Sequence, residues 1–184
     1  MAKNFFASLM ASEDVQSLIY RGVFYADSAK AEVHDGALVV QGEMEDHDVY
    51  AGLKDPNSYA ITAPTAATDP VHVVDYVDVS HGDIMGVMYR EGVKTFGLTC
   101  PAGVGTRVRI PKKYDSAYFA DGNFATTPSV GQYAIPTANS TLWTPASEAA
   151  TDKTCIKIEF EKDVTEGMVN NGKEYFARFI NVVE

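Results

Sequence analysis

Short apolar runs separated by turn residues dominate the chain, and few of them keep the spacing of a helix. Val23–Tyr25, Ala37–Gln41, Val71–Val79, Val93–Thr99, Thr106–Ile110, Gln132–Ile135, Cys155–Glu161 and Glu174–Val183 are rich in Val, Ile, Tyr, Phe and Thr. Several of them alternate apolar with polar residues, as half-buried strands do. Within the third run Val71, Val73, Asp75, Val77 and Val79 fall on one face, and the acid that interrupts that face predicts a bulge or an edge. His34-Asp35-Gly36, Lys54–Asn57, His81-Gly82-Asp83, Arg90-Glu91-Gly92, Ala120–Asn123 and Asn170–Lys173 supply the Asp, Asn and Gly that turns require, with Arg90-Glu91-Gly92 and Asn171-Gly172 the best hairpin candidates. One helix is predicted, over Ser12–Tyr20, from a capping serine, acids in the first turn and Val15, Leu18 and Ile19 at helical spacing. The expected fold is mainly β, an antiparallel barrel or sandwich with an N-terminal arm and one short helix.

The stretch Ala120–Trp143 has the densest turn chemistry, alternating turn, short strand and turn with no room for a helix. Ser58–Pro70 and Pro136–Lys153 are Ala/Thr/Pro/Ser-rich with little charge, which predicts two long surface loops. The arm and helix are assigned to residues 1–22 and a single β-rich domain to 23–184.

Composition narrows the function. A chain of 184 residues with 46% hydrophobic residues can bury a real core. Its formal net charge of −10 argues against nucleic acid and anionic membranes as partners. No apolar run approaches the roughly 20 residues that cross a bilayer, and Met1–Tyr20 lacks the apolar core of a signal peptide, so a cytoplasmic origin is expected. Cys100 and Cys155 form neither a CxxC pair nor a disulfide ladder and are read as two buried or half-buried thiols.

No reaction centre assembles from the motifs. His34, His47, His72 and His81 are not spaced as metal ligands, and Glu43–Asp48 lacks the glycine turn of a calcium loop and is read as a solvated acidic loop. In Ser80-His81-Gly82-Asp83 the side chains of an extended strand diverge, so no triad forms. Gly103-Val104-Gly105-Thr106 leads into a strand rather than a helix and is a turn, not a phosphate cradle. The chain is therefore expected to be non-enzymatic, with no cofactor and no metal.

Three features point outward. Phe5, Phe6 and Leu9 are apolar residues on a terminus too short to bury them by itself, so they meet a partner or fold back onto the chain's own core. Arg107 and Arg109, with Lys112 and Lys113, make the one basic cluster, either a solvated strand edge or a contact for an acidic partner surface. Trp143, the only tryptophan, clamps its loop if buried and anchors a contact if exposed. A carbohydrate-stacking platform of Tyr114, Tyr118, Phe119 and Trp143 is a further alternative.

Ala120-Asp121-Gly122-Asn123-Phe124, Thr127–Tyr133 with its Val-Gly-x-Tyr strand start, and the closing Glu174–Ile180 together resemble the head decoration, or capsid cement, proteins of tailed bacteriophages. The resemblance covers roughly the second half of the chain and the plan of arm and barrel; Met1–Tyr20 has no counterpart in it. It implies a structural virion protein, made in the host cytoplasm. Such a protein docks on the outside of an assembled capsid, binds the major capsid protein and other copies of itself, and stiffens the shell against internal DNA pressure. A tail or baseplate subunit built from the same β material is the rival expectation.

Overall fold

A computed structural model of the chain describes residues 6–10, 18–46, 52–76, 99–164 and 172–184. The strands are β1 (Phe6–Leu9), β2 (Ile19–Ala26), β3 (Ala29–Lys30), β4 (Val33–His34), β5 (Leu38–Asp46), β6 (Lys54–Thr62), β7 (His72–Asp75), β8 (Thr99–Cys100), β9 (Thr106–Arg109), β10 (Ser116–Ala120), β11 (Tyr133–Ile135), β12 (Thr144–Ala146), β13 (Cys155–Val164) and β14 (Gly172–Asn181). A 3-10 turn at Asp121–Asn123 follows β10. The fold is mainly β, as the alternation predicted. The predicted helix lies outside the described residues as far as Ser17, and its last two residues, Ile19 and Tyr20, open β2 instead.

Two sheets carry the architecture. β2, β6, β5, β7 and β9 pair in that order, and β9 pairs back onto β2, so these strands close into a five-stranded barrel with β3 appended to β2. The second sheet is open and antiparallel, in the order β1-β10-β14-β13-β11-β12. One pair departs from the antiparallel expectation: β2 and β6 run parallel, from Arg21↔Ser58 to Tyr25↔Thr62. The chain between them turns back through β3, β4 and β5, and that crossover makes a parallel return possible.

The segment read as the loop Ser58–Pro70 is half strand. Ser58–Thr62 belongs to β6, where Ile61 points into the barrel and is fully buried. Lys54–Asn57, read as a turn, is also strand. Pro56 is tolerated because the β5–β6 register slips between Asp46↔Lys54 and Met44↔Tyr59, and a bulge does not need its missing N–H. Glu43–Asp46, read as acidic loop, is the end of β5, exposed except at half-buried Glu45; His47 and Asp48 lie outside the described residues.

The two cores share strands. Ala37 and Val39 face the barrel interior with Phe24, Ile61, Val74 and Val108, while Leu38 faces the open sheet with Val71 and Val73. Successive residues of β5 are thus buried on opposite faces, so the run Ala37–Val40 is continuously apolar. Inside the barrel the axis is crowded at Gly22, where a Cβ would come within 2.7 Å of Ile61 Cδ1 and 2.9 Å of Val108 Cγ2. Overpacking of this kind costs about 1–3 kcal/mol. Gly22→Val should lower the urea midpoint accordingly, and adding Ile61→Val should restore part of the loss.

The turn Asp121–Asn123 bolts the sheet to the barrel. Buried Asn123 donates from Nδ2 to the Asp35 carbonyl at 2.8 Å and accepts the Ala120 N–H at 3.1 Å. Asp35 Oδ1 in turn accepts the Tyr76 N–H at 2.9 Å, and Leu38 N–H reaches the Thr141 carbonyl at 2.8 Å. His34-Asp35-Gly36 is the expected turn, with Gly36 at φ +76°. The turns at His81-Gly82-Asp83 and Arg90-Glu91-Gly92, the motif Ser80–Asp83 and the Asn170-Asn171 turn lie outside the described residues. The strands the last would join, β13 and β14, pair antiparallel down to Val164↔Gly172. Cys100 and Cys155 are both buried and are not joined in a disulfide.

Candidate binding surfaces

The basic cluster does not form a solvated edge. β9 lies between β7 and β2 in the closed barrel, and Arg109 is 7% exposed. Its Nε donates to Asp75 Oδ2 at 2.6 Å, and Arg107 Nη2 approaches the same oxygen at 2.7 Å. Asp75 therefore marks neither a bulge nor an edge. It is the buried counter-charge of two arginines on the neighbouring strand, in the register Asp75↔Arg107. A buried acid is tolerated where paired guanidiniums and hydrogen bonds replace its water. Of the other members, Lys112 Nζ pairs with Glu184 Oε1 at 2.7 Å, which holds that carboxyl below its usual range, and Lys113 Nζ lies 5.3 Å from the Tyr114 ring centroid.

Arg107 stands directly opposite Arg21 of β2, a pairing hidden in the sequence because the two are brought together only by barrel closure. Arg21 Nη1 lies 3.8 Å from Asp55 Oδ2. Beside them Tyr20 stacks edge-on against Tyr59 and His72, with ring centroids 5.5 Å apart in each case, and its hydroxyl sits 2.7 Å from His72 Nδ1. Burial pushes the Tyr20 hydroxyl above its ordinary value and pulls the His72 ring down to about 4, with Lys112 adding to the second effect. A neutral ring protonated at Nε2 accepts the tyrosine O–H at Nδ1, and one protonated at Nδ1 donates to the tyrosine oxygen. Between pH 6.5 and about 4 the unfolded chain binds a proton at His72 that the folded chain refuses. Stability should therefore fall as the pH is lowered through that window, and His72→Gln should flatten the profile of denaturant midpoint against pH there.

Trp143 is not a contact anchor. It is fully buried, 5.9 Å from the rings of Phe119 and Phe179, and its backbone bonds to Asn123 and Ala125 fix the loop against the 3-10 turn. The stacking platform of Tyr114, Tyr118, Phe119 and Trp143 is not formed either, since Phe119 also points inward and is fully buried. Tyr114 is 70% exposed, on a left-handed backbone at φ +78°. The arm pairs with the chain itself: Phe6–Leu9 runs antiparallel to β10, and Met10 enters the core between the sheets. Phe5 lies outside the described residues.

The outer face of the open sheet presents a different aromatic group. Tyr118, Phe176 and Phe160 occupy one cross-strand row over β10, β14 and β13. Phe160 stacks on Phe176 at 4.7 Å and 13°, and Tyr118 closes on Phe176 at 5.1 Å. The register shift between Ile158 and Phe160 turns the strand, so that Ile158 points into the core while Phe160 is 43% exposed. Arg178 and Glu159 flank the row as an ion pair at 3.1 Å. The signal for the row lay in Tyr118 and Phe176 alternating against buried Phe119 and Tyr175, but Phe160 cannot be placed without the bulge.

Among the described residues no group of three or more His, Cys, Asp or Glu side chains is arranged to hold a metal, and no helix is long and apolar enough to cross a membrane. No family model, curated protein or solved structure matches the chain.

Proposed function

We propose that this chain is a non-enzymatic structural protein that docks on the outside of an assembled phage capsid, with the outer face of the open sheet against the major capsid protein. The observation that carries the reading is the aromatic row Tyr118–Phe176–Phe160 on a rigid sheet. Large aromatic side chains held in place by cross-strand packing supply contact area at little entropic cost, as interface anchors do. The formal charge of −10 keeps the free protein soluble and separate before it binds. β1 stands at one edge of the open sheet, next to the row and without proline, whereas the opposite edge strand β12 is three residues long and contains Pro145. The contact therefore extends from the aromatic row toward β1, and the arm contributes through its place in the sheet.

Co-sedimentation with empty capsids assembled from the coat protein of the same genome tests the reading. Phe160→Ser removes the most exposed ring of the row, and binding should weaken by at least about tenfold while the unfolding midpoint changes little. Undiminished binding by Phe160→Ser and Phe176→Ser, or no binding by the wild-type chain, would overturn it. A stable closed ring of the free protein in light scattering would point instead to a tail or baseplate subunit.

A further inference from the structure

Beside Tyr20 lies a cleft of about 650 Å³, and the strand geometry identifies it as the mouth of the barrel. Gly22, Ile61, Val39, Val74 and Val108 face the barrel interior on β2, β6, β5, β7 and β9. Side chains along a strand return to the same face at every second residue. Tyr20, Tyr59, Gln41, His72 and Ile110, each two residues away, therefore face inward as well. All five stand at the same end, because β2 and β6 run in one direction and β5, β7 and β9 in the other. Tyr20, Tyr59, Gln41 and Ile110 line the cleft, and His72 backs it through its edge-on contact with Tyr20. Both tyrosines are half-buried, and their rings meet at 81°. Around them the rim is polar: Gln41 and Asn57 are exposed, and Arg21 lies 3.8 Å from Asp55.

We propose that the barrel mouth binds a neutral saccharide, with one pyranose ring lying on Tyr59 and Tyr20 and its hydroxyls meeting the carboxamides of Asn57 and Gln41. A pyranose has an apolar C–H face and a rim of hydroxyls. The negative face of an aromatic ring attracts the C–H face. Carboxamides and phenols both donate and accept hydrogen bonds, as each sugar hydroxyl does, so they pair with it without requiring a charge. A cleft of this size falls in the range of small-ligand sites, about 300–1,000 Å³, and barrel mouths are among the places where such sites form. Asp55 at the rim and the formal net charge of −10 favour a neutral ligand over an anion. The site shares no residue with the stacking platform expected from the sequence. It is also independent of capsid docking, because the mouth belongs to the barrel and the aromatic row to the open sheet.

Maltose, lactose, N,N′-diacetylchitobiose and methyl α-mannoside are titrated into the 15N-labelled chain, with sialyllactose, cyclohexanol and adenine as comparisons. The readouts are the side-chain amide signals of Asn57 and Gln41. At least one of the neutral sugars should shift both signals saturably. Cyclohexanol offers an apolar ring with one hydroxyl and adenine a flat stacking face, and each should bind at least about tenfold more weakly than that sugar. Asn57→Asp and Gln41→Ala, at exposed positions, should each weaken the sugar by at least about tenfold while leaving the denaturant midpoint in place. Tyr59→Leu keeps apolar bulk but removes the ring face, and saturable binding should be lost. Tighter binding of a disaccharide than of its component monosaccharide assigns the mouth to a glycan chain, and equal binding assigns it to a free sugar. No saturable shift with any of the neutral sugars, adenine, cyclohexanol or sialyllactose bound more tightly than they are, or unchanged affinity in both Asn57→Asp and Gln41→Ala would overturn the proposal.

Discussion

Replacing Trp143 by alanine should lower the unfolding free energy by about 3–5 kcal/mol, the range found when a fully buried aromatic is truncated. The indole lies at the junction of the open sheet and the barrel. It contacts Phe119 and Phe179 edge-on and belongs to the core cluster that Leu38, Val71 and Val73 enter from the barrel side. Removing it opens a cavity that these neighbours cannot close, because their backbones are held in separate sheets. Trp143→Phe should lose markedly less. It keeps most of the ring contacts and removes a buried indole N–H that has no hydrogen-bond acceptor among the described residues. Guanidinium unfolding of the three proteins reads the order directly. Against a total stability of about 5–15 kcal/mol, the loss from Trp143→Ala is a large share of what holds the fold together. A loss below about 1 kcal/mol would mean that Trp143 does not join the two layers.

Asp75→Ala should cost a similar amount, about 3–5 kcal/mol, because it takes away the carboxylate that two guanidiniums share in a nearly dry site. The Arg107 side chain is 41% exposed and can turn toward water; buried Arg109 cannot do so without moving β9. Asp75→Asn keeps the shape and removes the charge, so it should recover little of the loss. Replacing both buried partners, Asp75→Leu with Arg109→Met, should be much less destabilising than the sum of the single changes, since apolar side chains of similar volume need no counter-charge. Denaturant midpoints of the singles and the double give the coupling. Simple additivity would place the stabilisation of Arg109 elsewhere.

The periodicity of the chain showed the strands that are buried on one face. β14 alternates Tyr175, Ala177 and Phe179 inward with Phe176 and Arg178 outward, and such a pattern admits only one reading. β6 was hidden because its only large apolar core residue is Ile61, set among Ala, Thr, Ser and Pro that elsewhere mark loops. The burial of Trp143 was equally open in the sequence, since a low-charge loop covers a core as readily as it displays a ring. The role of Asp75 required the register of β7 against β9, which local composition does not encode. Arg21 joined Arg107 only when β9 returned to β2. Asn123 was placed correctly in a turn, but its bond to the Asp35 carbonyl, which ties the sheet to the barrel, comes from a distant part of the chain.

The most direct test of capsid docking through the aromatic row is a cryo-electron microscopy reconstruction of coat-protein shells incubated with this chain. The row predicts density at regularly repeated outer positions, with β10, β13 and β14 turned toward the shell and Phe160 within contact distance of it. Bare shells, or density in which that face points to solvent, would contradict it.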